Sequence, residues 1–166
     1  DFKPKLAIVF ISIKQERRAI VERLHQRNID VIGATSSGEF INGHQGEGEF
    51  AILLMDINRN DYAILFEDIG ERSLEESTNK MVRAAFDKFE KPTFILLTTL
   101  LTSSGKQFDG EGMVEYIEKL AGPDITMFGG MAGDDLSFSG TWIFTGNKAT
   151  DYGMAALVLN ESKIEL

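Results

Sequence analysis

Short apolar runs, separated by polar and glycine-bearing stretches, set the pattern of this chain. Leu6–Ser12 (LAIVFIS) is a continuous apolar run, as a strand buried on both faces requires. Residues 14–28 switch to helical spacing, with Ile20, Val21 and Leu24 on one side and charges on the other. Asp30–Thr35 (DVIGAT) returns to a strand-like run, and residues 42–48 read as a loop or hairpin link. Glu49–Ile57 and Tyr62–Ile69 also read as strands. Between them, Asn58-Arg59-Asn60-Asp61 has turn chemistry and predicts an antiparallel hairpin.

Residues 73–90 carry the clearest helical pattern. Ser73-Leu74-Glu75-Glu76 has the form of a capping box, and Leu74, Met81, Val82, Ala85, Phe86 and Phe89 share one face. Pro92 follows its end, and Thr93–Thr99 (TFILLTT) is another strand. Asp109 suits the N-cap of a helix over 110–121 that Gly122-Pro123 would stop. Ile125–Gly130, Thr141–Thr145 and Gly153–Leu159 complete the strands.

The alternation predicts an α/β fold, either one mixed sheet or two sheets, flanked by helices. The halves run in the same order: strand, helix, strand ending in a glycine turn, linker, strand. An internal duplication is therefore expected. It would place a helix ahead of Leu6 in the parent protein. The chain begins with Asp1 and is expected to be an excised or N-terminally truncated piece, with residues 1–166 forming a single domain.

Composition narrows the partners. A formal charge of −9 disfavours nucleic acid and anionic membrane, and no apolar run reaches the roughly 20 residues of a membrane span. The gathering of Lys14, Arg17, Arg18 and Arg23 reads as a solvated helix face. The chain has no cysteine, which removes thiolate metal sites and cysteine nucleophiles, and a cytoplasmic setting is the simplest expectation.

The candidate chemistry lies in two turns. The first is Gly33-Ala34-Thr35-Ser36-Ser37-Gly38-Glu39, and the second Phe128-Gly129-Gly130-Met131-Ala132-Gly133-Asp134-Asp135. Small side chains leave backbone amides open to a ligand, and both turns end on a carboxylate. Glu39 stands where a phosphate-binding loop needs lysine, and the second turn lacks the dinucleotide spacing. Ser36 and Ser37 fall outside the hydrolase elbow pattern. His25 reads as a surface residue, and His44 as a loop histidine that could serve as a base or axial ligand. Glu39, Asp134 and Asp135 could receive an ammonium group or a metal ion, or cap their own turns. Phe138, Trp142 and Phe144 read as core.

These motifs together resemble the FIST N-terminal domain. The likeness rests on LAIVFIS, VIGATSSGE, EFAILLM, and FGGMAGDDLSFSGTWIFTG leading to GMAALVL. Ala34 stands where that family usually has cysteine, and Ser36 where it has threonine. The resemblance implies a cytoplasmic sensory domain that binds a small molecule, an amino acid being the usual proposal. It also implies a FIST C-terminal domain and a signalling output module in the parent protein. The expected ligand-binding residues are Gly33, Thr35, Ser36, Ser37, Gly38, Glu39, Gly129, Gly130, Gly133 and Asp134. No catalytic residue, metal or cofactor is expected. The alternatives are a haem-binding gas sensor with His44 as ligand, or a metal-assisted hydrolase using Glu39, Asp134 and Asp135.

Overall fold

The computed structural model describes residues 1–164; Glu165 and Leu166 lie outside the described residues. In chain order the elements are β1 (Leu6–Ser12), α1 (Arg17–His25), β2 (Asp30–Ser36), β3 (Glu39–Ile41), β4 (His44–Gly46), β5 (Phe50–Met55) and β6 (Tyr62–Asp68). They continue as α2 (Leu74–Lys88), β7 (Pro92–Thr98), α3 (Gly110–Ala121), β8 (Met127–Met131), β9 (Ile143–Thr145), β10 (Ala149–Thr150) and β11 (Gly153–Asn160). The strands form two mixed sheets, ordered β10-β9-β2-β1-β5 and β6-β11-β7-β8, with the small hairpin β3-β4 beside them. The α/β expectation holds, in its two-sheet form.

The apolar runs explain the layering. In β1, Ala7, Val9 and Ile11 pack with Leu24 of α1, while Leu6 and Ile8 join the core between the sheets. In β11, Ala155, Leu157 and Leu159 face that same inter-sheet core, and Met154, Ala156 and Val158 face Met81, Val82 and Ala85 of α2. A strand covered on both faces must be apolar at every position, so the period-two signal disappears. The layers are thus helix, sheet, sheet, helices.

Local signals place the helices. The Ser73 side chain accepts from Glu76 N at 3.0 Å and starts α2; the Asp109 side chain accepts from Gly112 N at 2.9 Å and starts α3. Two triplets share one topology. β1 runs parallel to β2 and antiparallel to β5, while β7 runs parallel to β8 and antiparallel to β11. In each triplet a helix connects the parallel pair.

The expected hairpin of the fifth and sixth strands is corrected. β5 pairs with β1 in one sheet, and β6 pairs with β11 in the other. The turn chemistry is real, since Asn60 N donates to Asn58 Oδ1 at 3.0 Å and Asp61 N to Asn58 O at 2.9 Å. It carries the chain across the inter-sheet core instead of back along the same sheet. Burial decides: β11, buried from Gly153 to Leu159, needs a neighbour on each edge, and β6 supplies one.

Tyr62 ties the sheets together at this crossing. Its hydroxyl donates to Asp30 Oδ2 at 2.6 Å, which also receives Arg59 Nε at 2.9 Å. Desolvation, reinforced by the bond to Asp30, raises the phenol above its ordinary value of 10.0. The folded chain therefore keeps Tyr62 neutral where the unfolded chain ionises. That stabilisation is complete below about pH 10 and is lost as pH rises beyond it. Tyr62→Phe should flatten this alkaline loss. Urea midpoints measured on either side of that pH should fall more steeply for the native chain than for the variant.

Candidate functional site

The two glycine turns meet where the chain passes between the sheets. Ala132 N donates to Thr98 O of β7 at 2.7 Å, and the next amide, Gly133 N, donates to Thr35 O of β2 at 2.8 Å. Two successive amides thus bridge the two sheets. Asp135 N then donates to Ser37 Oγ at 2.9 Å. Gly133 must be glycine here, because a Cβ would stand 2.4 Å from Ser37 Oγ and 2.8 Å from Ser37 N.

Polar groups cluster at this junction. The Asp135 carboxylate accepts from Ser12 Oγ at the end of β1 and pairs with Lys14 Nζ at 3.5 Å. The Asp134 carboxylate, largely buried, accepts from Ser139 N at 2.9 Å and Gly140 N at 3.3 Å. Thr35 is tied to Trp142 through both its N, which donates to Trp142 O at 2.8 Å, and its Oγ1, which accepts from Trp142 N at 2.9 Å and donates to Trp142 O at 3.4 Å. Glu39 is buried at the base of the β3-β4 hairpin, accepting from Ser36 Oγ at 2.6 Å and from Glu49 N at 3.0 Å. Gly38, at φ +89°, makes the bend that carries β2 into that hairpin.

The structure therefore brings Thr35, Ser36, Ser37, Gly38 and Glu39 together with Gly133 and Asp134. Gly33 stands apart, inside β2, paired with Val9 on one edge and Phe144 on the other. Gly129 and Gly130 lie along β8, the edge strand of the second sheet. At Gly129 a Cβ would stand 1.9 Å from Leu96 O, so its close approach to β7 requires glycine.

A recess of about 310 Å³ adjoins β8, between that strand and the first turn of α3. Leu96, Thr98, Met113, Met127, Gly129 and Met131 line it. Its walls are mainly apolar, and the buried Thr98 hydroxyl finds no hydrogen-bond partner among the described residues.

Other candidates fall elsewhere. His44 is exposed on β4 and meets Glu49 Oε2 at 2.9 Å. Among the described residues, no three His, Asp or Glu side chains gather as a metal site would need. Phe144 is core, Trp142 is half-buried, and Phe138 is exposed rather than core. Arg17 departs from a plain solvated face. Its guanidinium lies 4.9 Å from the Trp142 ring centroid, and burial, with Arg18 nearby, lowers its pKa. Ser12 and Lys14 join the site without standing out in the sequence as candidates. The available signal was the polar end of an otherwise apolar run.

The model of the FIST N domain family matches residues 5–166, essentially the whole chain. The chain belongs to the FIST N domain family. It is accordingly a member of a family of signal-transduction sensory domains. No curated protein matches it. The FIST N match spans both glycine turns and the strands that carry them. Among the described residues, no helix of this FIST N domain is long and apolar enough to cross a membrane.

Proposed function

We propose that this FIST N domain senses a small molecule carrying both an anionic and a cationic group, an amino acid in the simplest case, within a cytoplasmic signalling protein. The observation that carries the reading is the meeting of the two turns through Ser37, Gly133 and Asp135. Sites that bind small molecules combine a recess with a few converging polar groups; the junction supplies the polar groups, and the 310 Å³ recess ends at Met131, one residue before Ala132. The Ser37 hydroxyl, which accepts from Asp135 N and keeps its own proton to give, would hold the carboxylate, with Ser36, Gly130 and Gly133 forming the backbone around it. Asp134 would take the ammonium group, and the orphan Thr98 hydroxyl would gain a partner. Glu39 would act at one remove, because both its oxygens already hold Ser36 and Glu49.

Binding would change signalling only if the ligand favours one arrangement of the domain over another. The junction suits that role, since it joins elements of both sheets. Calorimetric titration of the chain with each common amino acid tests the reading. At least one should give saturable heat, and Ser37→Ala should weaken it about tenfold, the worth of one hydrogen bond of about 1.4 kcal/mol. Absence of heat with every amino acid would overturn the proposal.

A further inference from the structure

The edge of β8 is open and matches itself. Its sequence is MFGGM, and Phe128, Gly129, Gly130 and Met131 are exposed. Two bonds at its ends fix the phase of its pairing with β7: Phe94 N donates to Thr126 O, and Ala132 N donates to Thr98 O. In a parallel ladder alternate residues serve each neighbour. Even-numbered residues of β8 therefore bond β7, and Met127, Gly129 and Met131 turn their N–H and C=O groups outward.

We propose that β8 is the seam of a homodimer, in which it pairs antiparallel with β8 of a second copy about a two-fold axis at Gly129. This register sets Gly129 against its own copy, Met127 against Met131, and Phe128 against Gly130. Each outward-turned residue then meets another, so the main-chain groups of both strands are satisfied together. The side chains fit as well. Met127 packs on the helix-side core and Met131 lies over Gly110, so those residues share one face. Phe128 and Gly130 share the other. A Cβ at Gly130 would meet nothing within 4 Å, which leaves room there for the partner's phenyl ring. The dimer would be isologous and closed, and its sheets would run on through the seam.

Shape selects the occupant, because Phe128 of one copy falls opposite the open space at Gly130 of the other. The chain carries −9, but Met127–Met131 holds no charge to oppose a second copy at the seam. Edge strands are ordinarily guarded by lysine, proline or a bulge, and β8 has none of these. This inference does not rest on the ligand-sensing reading, and its test reads no ligand, so either can fail alone.

The chain lacks cysteine, which permits a register-specific test. Opposed residues of a pair not hydrogen-bonded to each other lie about 4.5 Å apart at Cα, within disulfide range. Diagonal neighbours lie about 7–8 Å apart, beyond it. Phe128→Cys with Gly130→Cys in one chain should give a disulfide-linked dimer on mild oxidation. Either single variant should give little. Light scattering should find the native chain at twice 18.5 kDa at high concentration, and Gly130→Lys should return it to one chain's mass with unchanged circular dichroism. A native chain that stays monomeric would overturn the proposal. So would single-cysteine variants that crosslink as well as the double.

Discussion

Gly33→Ala is expected to destabilise the domain by about 3 kcal/mol, the upper end of what overpacking a core costs, although it adds one methyl group. The added Cβ would stand 2.5 Å from Cζ of Phe144 and 2.5 Å from Val9 O. The ring belongs to β9 and the carbonyl to β1, so the new atom would be wedged between both neighbours of β2. Phe144 is 1 % exposed and packed in the core beneath α1, so its ring has little room to withdraw. The carbonyl is main chain and cannot yield without breaking the ladder. Phe144→Leu on the Gly33→Ala background should therefore recover part of the loss and not all of it. A double-mutant cycle from urea unfolding would show a favourable coupling of about 1 kcal/mol. If Gly33→Ala changed stability by less than about 0.5 kcal/mol, packing would not explain this glycine, and its place in the first turn would need a ligand to account for it.

That contrast marks how far the sequence could be read. A glycine kept for close packing inside a sheet and one kept for an open amide look alike in a sequence. Gly33 proves to be within the ladder, while Gly133 five score residues later sits where two turns touch. Helix boundaries were more legible, because Ser73 and Asp109 act on amides only three residues away. Strand existence was legible too, since apolar runs such as LAIVFIS must be buried on both faces. Strand partnership was not. The turn at Asn58–Asp61 looks the same whether the next strand returns along its own sheet or enters the facing one, and only the needs of β11 decide. The site followed the same rule. Glu39 and Asp134 stood out as acids beside small residues, but their partners Ser36, Glu49, Ser139 and Gly140 are set by how the loops fold back. Ser12 and Lys14 reach Asp135 across more than 120 residues of chain, a distance no local pattern spans.

Asp134→Ala should undo the second turn while leaving most of the fold in place. Asp135, Leu136 and Phe138 all have φ near +50°, at 54°, 58° and 51°, a conformation that costs side-chain-bearing residues about 1–2 kcal/mol each. Leu136 and Phe138 are also exposed, so burial does not offset that cost. What holds the loop is a short set of bonds. The Asp134 carboxylate takes Ser139 N and Gly140 N, its carbonyl takes Ser137 N at 3.0 Å, and Asp135 is anchored by Ser37 and Ser12. Alanine removes the acceptor for two amides at once, and an unpaired buried amide costs about 1–3 kcal/mol. The loop should escape that penalty by relaxing towards ordinary φ values, which would draw Asp135 away from Ser37 and part the two turns. Amide exchange should then accelerate over residues 135–140, with little change in β7 and β11, and global stability should fall by about 2 kcal/mol. Asp134→Asn keeps one acceptor oxygen and should fall between the alanine variant and the native chain. If the alanine variant kept native exchange rates across the loop, the strain would be held elsewhere, and Asp134 would be free to serve a ligand alone.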